Sequence, residues 1–230
     1  MPELTIALNQ FDAVLSQIVP TVATRLQPGL SCTEIDQQTA AFAWSLPSDL
    51  YDLYQWHNGL SGRAAQLNWA EQLLRLKGKW HGELAGRANE IHVRFADRLL
   101  VAKFLPLEYA LAGHRHLKLG GCLLDLLPIA VLTDGNTTIY CLMQLAVEPP
   151  TLFCANGTKL PPMKITEAFL ATQPQFELSD FIVWLTRCVQ QAASRPTANL
   201  ADQTRGAIDC EIDSAQFAQF RQFGRENTGQ

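Results

Sequence analysis

Over residues 4–26 the apolar positions Leu4, Leu8, Phe11, Leu15, Ile18, Val22 and Leu26 recur at steps of three and four. That spacing gathers them on one stripe of a core-facing helix. Pro20 lacks a backbone N–H and its ring clashes with the preceding turn, so a break is expected near Val19. Gln27-Pro28-Gly29 reads as a turn. Ser31-Cys32-Thr33-Glu34 has the form of a capping box, with a second helix expected over Cys32 to Phe42. Leu46-Pro47-Ser48-Asp49 opens a third helix, with Pro47 suited to its first turn, and Leu50, Leu53, Tyr54 and His57 follow at helical spacing. Asn58-Gly59 ends it, because glycine at the position after a helix takes the left-handed conformation without a Cβ penalty.

Beyond this point the pattern changes. Residues 62–103 hold eight Lys and Arg against four Asp and Glu, a local excess of positive charge in a chain whose formal charge is −4. Leu67, Leu73, Leu74 and Leu76 suggest a helix there, and Glu90 to Val101 fits a strand or a helix equally well. Phe104 to Ala110 reads as a short strand entering a helical turn. Leu123 to Leu132 is rich in β-formers, Thr133-Asp134-Gly135-Asn136 supplies a hairpin turn, and Thr138 to Met143 returns as the partner strand. Thr151 to Cys154 and Leu160 to Ile165 flank a second turn at Asn156-Gly157. Ser179-Asp180 then caps a helix carrying Phe181, Ile182, Leu185 and Val189. Helices, then strands joined by short turns, then a closing helix predict an α+β fold: an antiparallel or mixed sheet meander packed against N-terminal helices and a C-terminal one. Residues 1–192 are read as one domain. Residues 193–230 are read as a linker and a short terminal helix lined by Phe217, Phe220 and Phe223.

Composition narrows the function. The chain has 230 residues, 47% of them hydrophobic and 17% charged, which supplies a real core and excludes wholesale disorder. The acidic balance argues against a nucleic-acid-coating protein, although Trp69 and Trp80 lie among the basic residues. No apolar run approaches 18 residues and no signal-peptide pattern opens the chain, so a soluble cytoplasmic protein away from membranes is expected. The six cysteines form no C-x-x-C pair, and reduced, mostly buried thiols are expected.

No strong catalytic motif is present. Gly59-Leu60-Ser61-Gly62-Arg63 lacks the final glycine of a nucleophile elbow and follows a helix rather than a strand. His114 and His116 would share one side of a strand, but two ligands do not complete a zinc site, and His114 to Lys118 is read as a solvated cationic loop. His57 has no nucleophile beside it in sequence, and a histidine ending a helix is favoured by the helix dipole alone. Trp44, Trp56 and Trp184 are read as core or interface anchors. No cofactor or metal is expected.

The order of these motifs resembles a known family. Leu46-Pro47-x-x-Leu50-Tyr51-x-Leu53-Tyr54-x-x-His57-Asn58-Gly59 resembles the signature of the SUKH superfamily, which contains fungal cell-wall assembly regulators of the Knr/Smi type and many bacterial proteins. Pro28-Gly29-Leu30-Ser31 with Glu34-Ile35, Phe104 to Ala110, Leu127-Pro128-Ile129-Ala130 followed by Asp134-Gly135, and Leu178 to Leu185 resemble its other landmarks in order, from about Gln10 to Ala192. This chain departs from the pattern in an expanded 62–103 segment, in Leu127 where a tryptophan is usual, and in the lack of an acidic residue closing the Asp134 hairpin. The resemblance implies a non-enzymatic protein-binding module. Bacterial members are regarded as immunity proteins that neutralise nuclease- or deaminase-type toxins, and fungal members as regulatory scaffolds. Leu46, Pro47, Tyr54, Asn58, Gly59, Pro128, Asp134 and Gly135 are then structural. An acidic surface is the expected complement to a basic toxin, with Asp49, Asp52, Trp56 and His57 as the candidate contact residues.

Overall fold

The computed structural model describes residues 2–60, 91–95, 98–133, 138–145, 147–156, 161–173 and 175–194. Helix α1 (Pro2–Ile18) carries the predicted stripe, with Leu4, Leu8, Phe11 and Leu15 buried. Each such side chain contributes about 1.5–3 kcal/mol relative to exposure. The break falls at Val19, whose backbone leaves the helical region (φ −134°, ψ 62°), and α2 (Pro20–Ala23) resumes with proline in its first turn. Val22 stays buried on the same side.

The expected turn at Gln27-Pro28-Gly29 is instead a strand, β1 (Leu26–Pro28), running antiparallel to β2 (His57–Leu60). Helix α3 (Cys32–Thr39) has the capping box, with Ser31 Oγ accepting from the Glu34 N–H and the Ser31 N–H donating to the Glu34 carboxylate at 2.8 Å. That backbone donor, with the Ser31 hydroxyl, holds the Glu34 carboxyl below the usual range. The helix stops at Thr39, short of Phe42. Residues 40–47 connect it to α4 (Ser48–Trp56), for which Pro47 is the N-cap residue rather than part of the first turn.

Beyond residues 61–90 the chain forms a six-stranded antiparallel sheet in sequence order, so the fold is α+β. Its strands are β3 (Ile91–Phe95), β4 (Arg98–Phe104), β5 (Leu126–Thr133), β6 (Thr138–Gln144), β7 (Thr151–Asn156) and β8 (Gln175–Phe176). The stretch that fits a strand or a helix is thus strand over its described residues, 91–95 and 98–101, in the β3–β4 pair. Pro128 lies inside the sheet on β5, which suits a proline only where the ladder is interrupted, and the pairing shifts between Pro128 and Ala130. Leu127 beside it is fully buried. Asp134 and Gly135 lie outside the described residues, as do the helix suggested by Leu67 to Leu76, Trp69, Trp80, Gly157, Cys210 and the terminal phenylalanines; the strands flanking the Asp134 turn pair up to Thr133 and Thr138.

Between β4 and β5 the short helical turn extends into α5 (Leu107–Leu119), so His114 to Lys118 is helical, not a loop or strand. Leu160 to Ile165 is not a strand over its described part: Pro162–Lys164 forms a 3₁₀ turn, followed by α6 (Glu167–Leu170). The closing helix α7 (Leu178–Ser194) begins at Leu178, one residue before the expected Ser179-Asp180 cap.

Side chains alternate across the sheet. Ile139, Cys141, Met143, Leu152 and Cys154 join α1, α4 and α7 in the main core. Leu142, Phe153 and Ala155 face the other way, into a second core with Leu117, Ile165 and Leu170. Among the described residues no disulfide forms: Cys122, Cys141, Cys154 and Cys188 are buried thiols and Cys32 is an exposed one.

Candidate partner-binding face

The frame of the candidate face is α4. Its first turn closes on Pro47, whose carbonyl accepts from Leu50 N–H at 3.0 Å. Leu46, Leu50, Leu53 and Tyr54 are buried, as their spacing predicts. Asp49, Asp52 and Trp56, at i, i+3 and i+7, follow one line along the flank of this buried stripe, all three half-buried. Asp49 sits in the first turn, where the helix dipole favours a negative charge.

The lower end of the flank is tied to the N-terminal helix. The Trp56 ring lies 6.0 Å from that of Phe11, and the His57 ring stands edge-on to Trp56 at 4.5 Å. His57 Nδ1 is 2.8 Å from the Gln27 carbonyl, which only accepts, so Nδ1 is the donor of that bond. Nε2 then faces the Asp12 carboxylate at 3.8 Å. Asp49, Asp52 and Trp56 thus share one line of α4, and His57 adjoins Trp56 at its end, with Asp12 beside it.

The helix stop at Asn58-Gly59 works differently from a simple cap. His57 is already extended, and both Asn58 and Gly59 belong to β2. Gly59 has the expected positive φ, 73°. Asn58 is buried and its Oδ1 accepts from the Leu107 N–H at 2.8 Å, serving the first turn of α5. Pro106, the N-cap residue there, has no side-chain oxygen to offer, so that donor depends on a residue 49 positions upstream. On the opposite side of α4, the Tyr51 hydroxyl donates to Asp36, which raises its pKa, with burial adding to the effect.

The histidine pair separates. His114 is buried and His116 exposed, as a helical turn of about 200° between them requires. His114 packs edge-on to Trp44 at 5.2 Å and Phe42 at 5.5 Å. Its burial lowers the imidazole pKa, outweighing the Leu126 carbonyl that favours the charged form. Among the described residues, no three His, Cys, Asp or Glu side chains gather as metal ligands, and no helix is long and apolar enough to cross a membrane. No protein-family model matches this chain, and no curated protein matches its sequence.

Proposed function

We propose that the chain is a SUKH-type protein-binding module, cytoplasmic and non-enzymatic, of the toxin-immunity kind. It uses the Asp49–Asp52–Trp56–His57 flank of α4 against a basic nuclease- or deaminase-type toxin domain. The observation that carries the reading is the alignment of Asp49, Asp52 and Trp56 along a helix otherwise locked into the core by Leu50, Leu53 and Tyr54. A half-buried aromatic at the end of a row of two acidic groups supplies both an anchor and a steering charge. The charge outside residues 62–103 is acidic overall, which suits a basic partner.

The test is capture of the partner from the native host, followed by association kinetics with the D49K/D52K double variant. Recovery of a nuclease or deaminase toxin is expected. Charge reversal should slow association on the order of tenfold at low salt and flatten its salt dependence. Stability is the wrong readout, because the dipole at the start of α4 favours the acids without any partner. Recovery of no toxin, or association unchanged by both reversals, overturns the reading and favours a regulatory scaffold of the cell-wall assembly regulator type.

A further inference from the structure

Residues 40–47 cross from α3 to α4 without regular structure, and their two aromatic side chains converge on one buried histidine. The Phe42 and Trp44 rings contact each other at 4.8 Å and both meet His114 edge-on. The Arg115 guanidinium covers the Phe42 ring at 5.4 Å.

Both nitrogens of His114 are committed. Nδ1 lies 3.0 Å from the Leu126 carbonyl oxygen, which can only accept, so Nδ1 carries the proton. Nε2 lies 3.4 Å from Trp44 Nε1, and an indole nitrogen only donates. The neutral Nδ1–H tautomer is therefore the one form of the ring that satisfies both neighbours.

We propose that His114 is an acid-released clasp: neutral, it pins residues 40–47 through the Trp44 indole, and protonation of Nε2 sets N–H against N–H and frees that segment. The charges facing the ring decide whether a second proton is resisted. Arg115 and Lys118, from its own helix, oppose it. Asp125, ahead of β5, favours it but already pairs with Lys118 at 2.8 Å. The clasped segment, Ala40 to Pro47, has no ionisable side chain with which to compensate. Burial of the imidazole works in the same direction as the two cations. The group facing Nε2 is the Trp44 indole N–H, which only donates, so the indole contact is the one that yields.

The experiment is a pH titration of the ¹⁵N-labelled full chain by NMR. It follows the His114 ring protons and the Trp44 indole N–H, the latter assigned by its loss in Trp44→Phe. The indole N–H is expected to lose its protection from solvent exchange in step with His114 protonation, at a midpoint below the ordinary imidazole value. In Trp44→Phe, where the opposing donor is gone, the His114 midpoint should rise by about one pH unit, the equivalent of one net hydrogen bond. An indole N–H that stays protected through the His114 titration overturns the proposal. So does a Trp44→Phe variant whose His114 titrates where the wild type does.

Discussion

Replacing Gly59 with alanine incurs two separable costs. The first is conformational: at φ 73° a Cβ crowds the following carbonyl, which costs about 1–2 kcal/mol. The second is steric. A Cβ at this position would lie 2.4 Å from Pro106 N, 2.7 Å from Leu105 C and 2.7 Å from Pro106 Cδ. These atoms cannot retreat freely, because Leu105 N–H donates to Ile129 O at 2.9 Å and Leu107 N–H donates to Asn58 at 2.8 Å. Overpacking against a fixed backbone adds about 1–3 kcal/mol. The sum is about 2–5 kcal/mol, a large part of a typical domain's stability. In equilibrium urea unfolding this should lower the midpoint by about 1–2 M at unchanged slope. Gly29→Ala provides the comparison. Its φ lies outside the left-handed region, but its Cβ would come within 1.7 Å of Gln55 O, so it tests the steric cost alone at the β1–α4 contact. A Gly59→Ala midpoint within about 0.3 M of the wild type would refute the reasoning, because neither cost could then be present.

Asn58→Ala leaves the Leu107 N–H without its acceptor in a buried site and should destabilise by about 1–3 kcal/mol, read as a lower Tm. Tyr54→Phe should be neutral or stabilising by up to about 1 kcal/mol in urea unfolding, because the Tyr54 hydroxyl is buried and meets no partner among the described residues. The lowered pKa of His114 makes the folded state bind fewer protons than the unfolded one. Its contribution to stability is therefore fully present above about pH 6.5 and is lost as pH falls through the lower folded value. His114→Gln should flatten that part of the stability–pH curve measured by denaturation at stepped pH.

Local chemistry made much of this architecture legible. The α1 stripe, its break at Val19, the Ser31–Glu34 box and the core face of α4 follow from spacing and capping within a few residues. What escaped depends on distant partners. β1 is three residues long and exists because β2 lies alongside it, about thirty positions later. The length of α5 was hidden by reading His114 as polar. Counted as a buried position, it completes the helical series Leu107, Ala110, Leu111, His114, Leu117. The prolines at 161 and 162 argue against the strand expected at 160–165. On the candidate face, Asp49 and Asp52 could be placed from helical spacing alone. The packing of Trp56 on Phe11 and of His57 on Gln27 and Asp12 could not, since these partners are 30 to 45 residues upstream.

The pairing of α1 with α7 sets an order on the birth of the protein. The stripe made first, from Leu4 to Leu15, finds its main helical partner in a helix made more than 150 residues later. At 5–20 residues per second, that interval is roughly ten to thirty seconds. During it, the α1 face lacks that partner and has chiefly α2 and α4 of the earlier chain to pack against. Shielding of that face by a chaperone, or transient packing against α4, is what the nascent chain requires. A chain stopped before Leu178 should therefore leave both the α1 stripe and the sheet face that α7 covers open to aggregation.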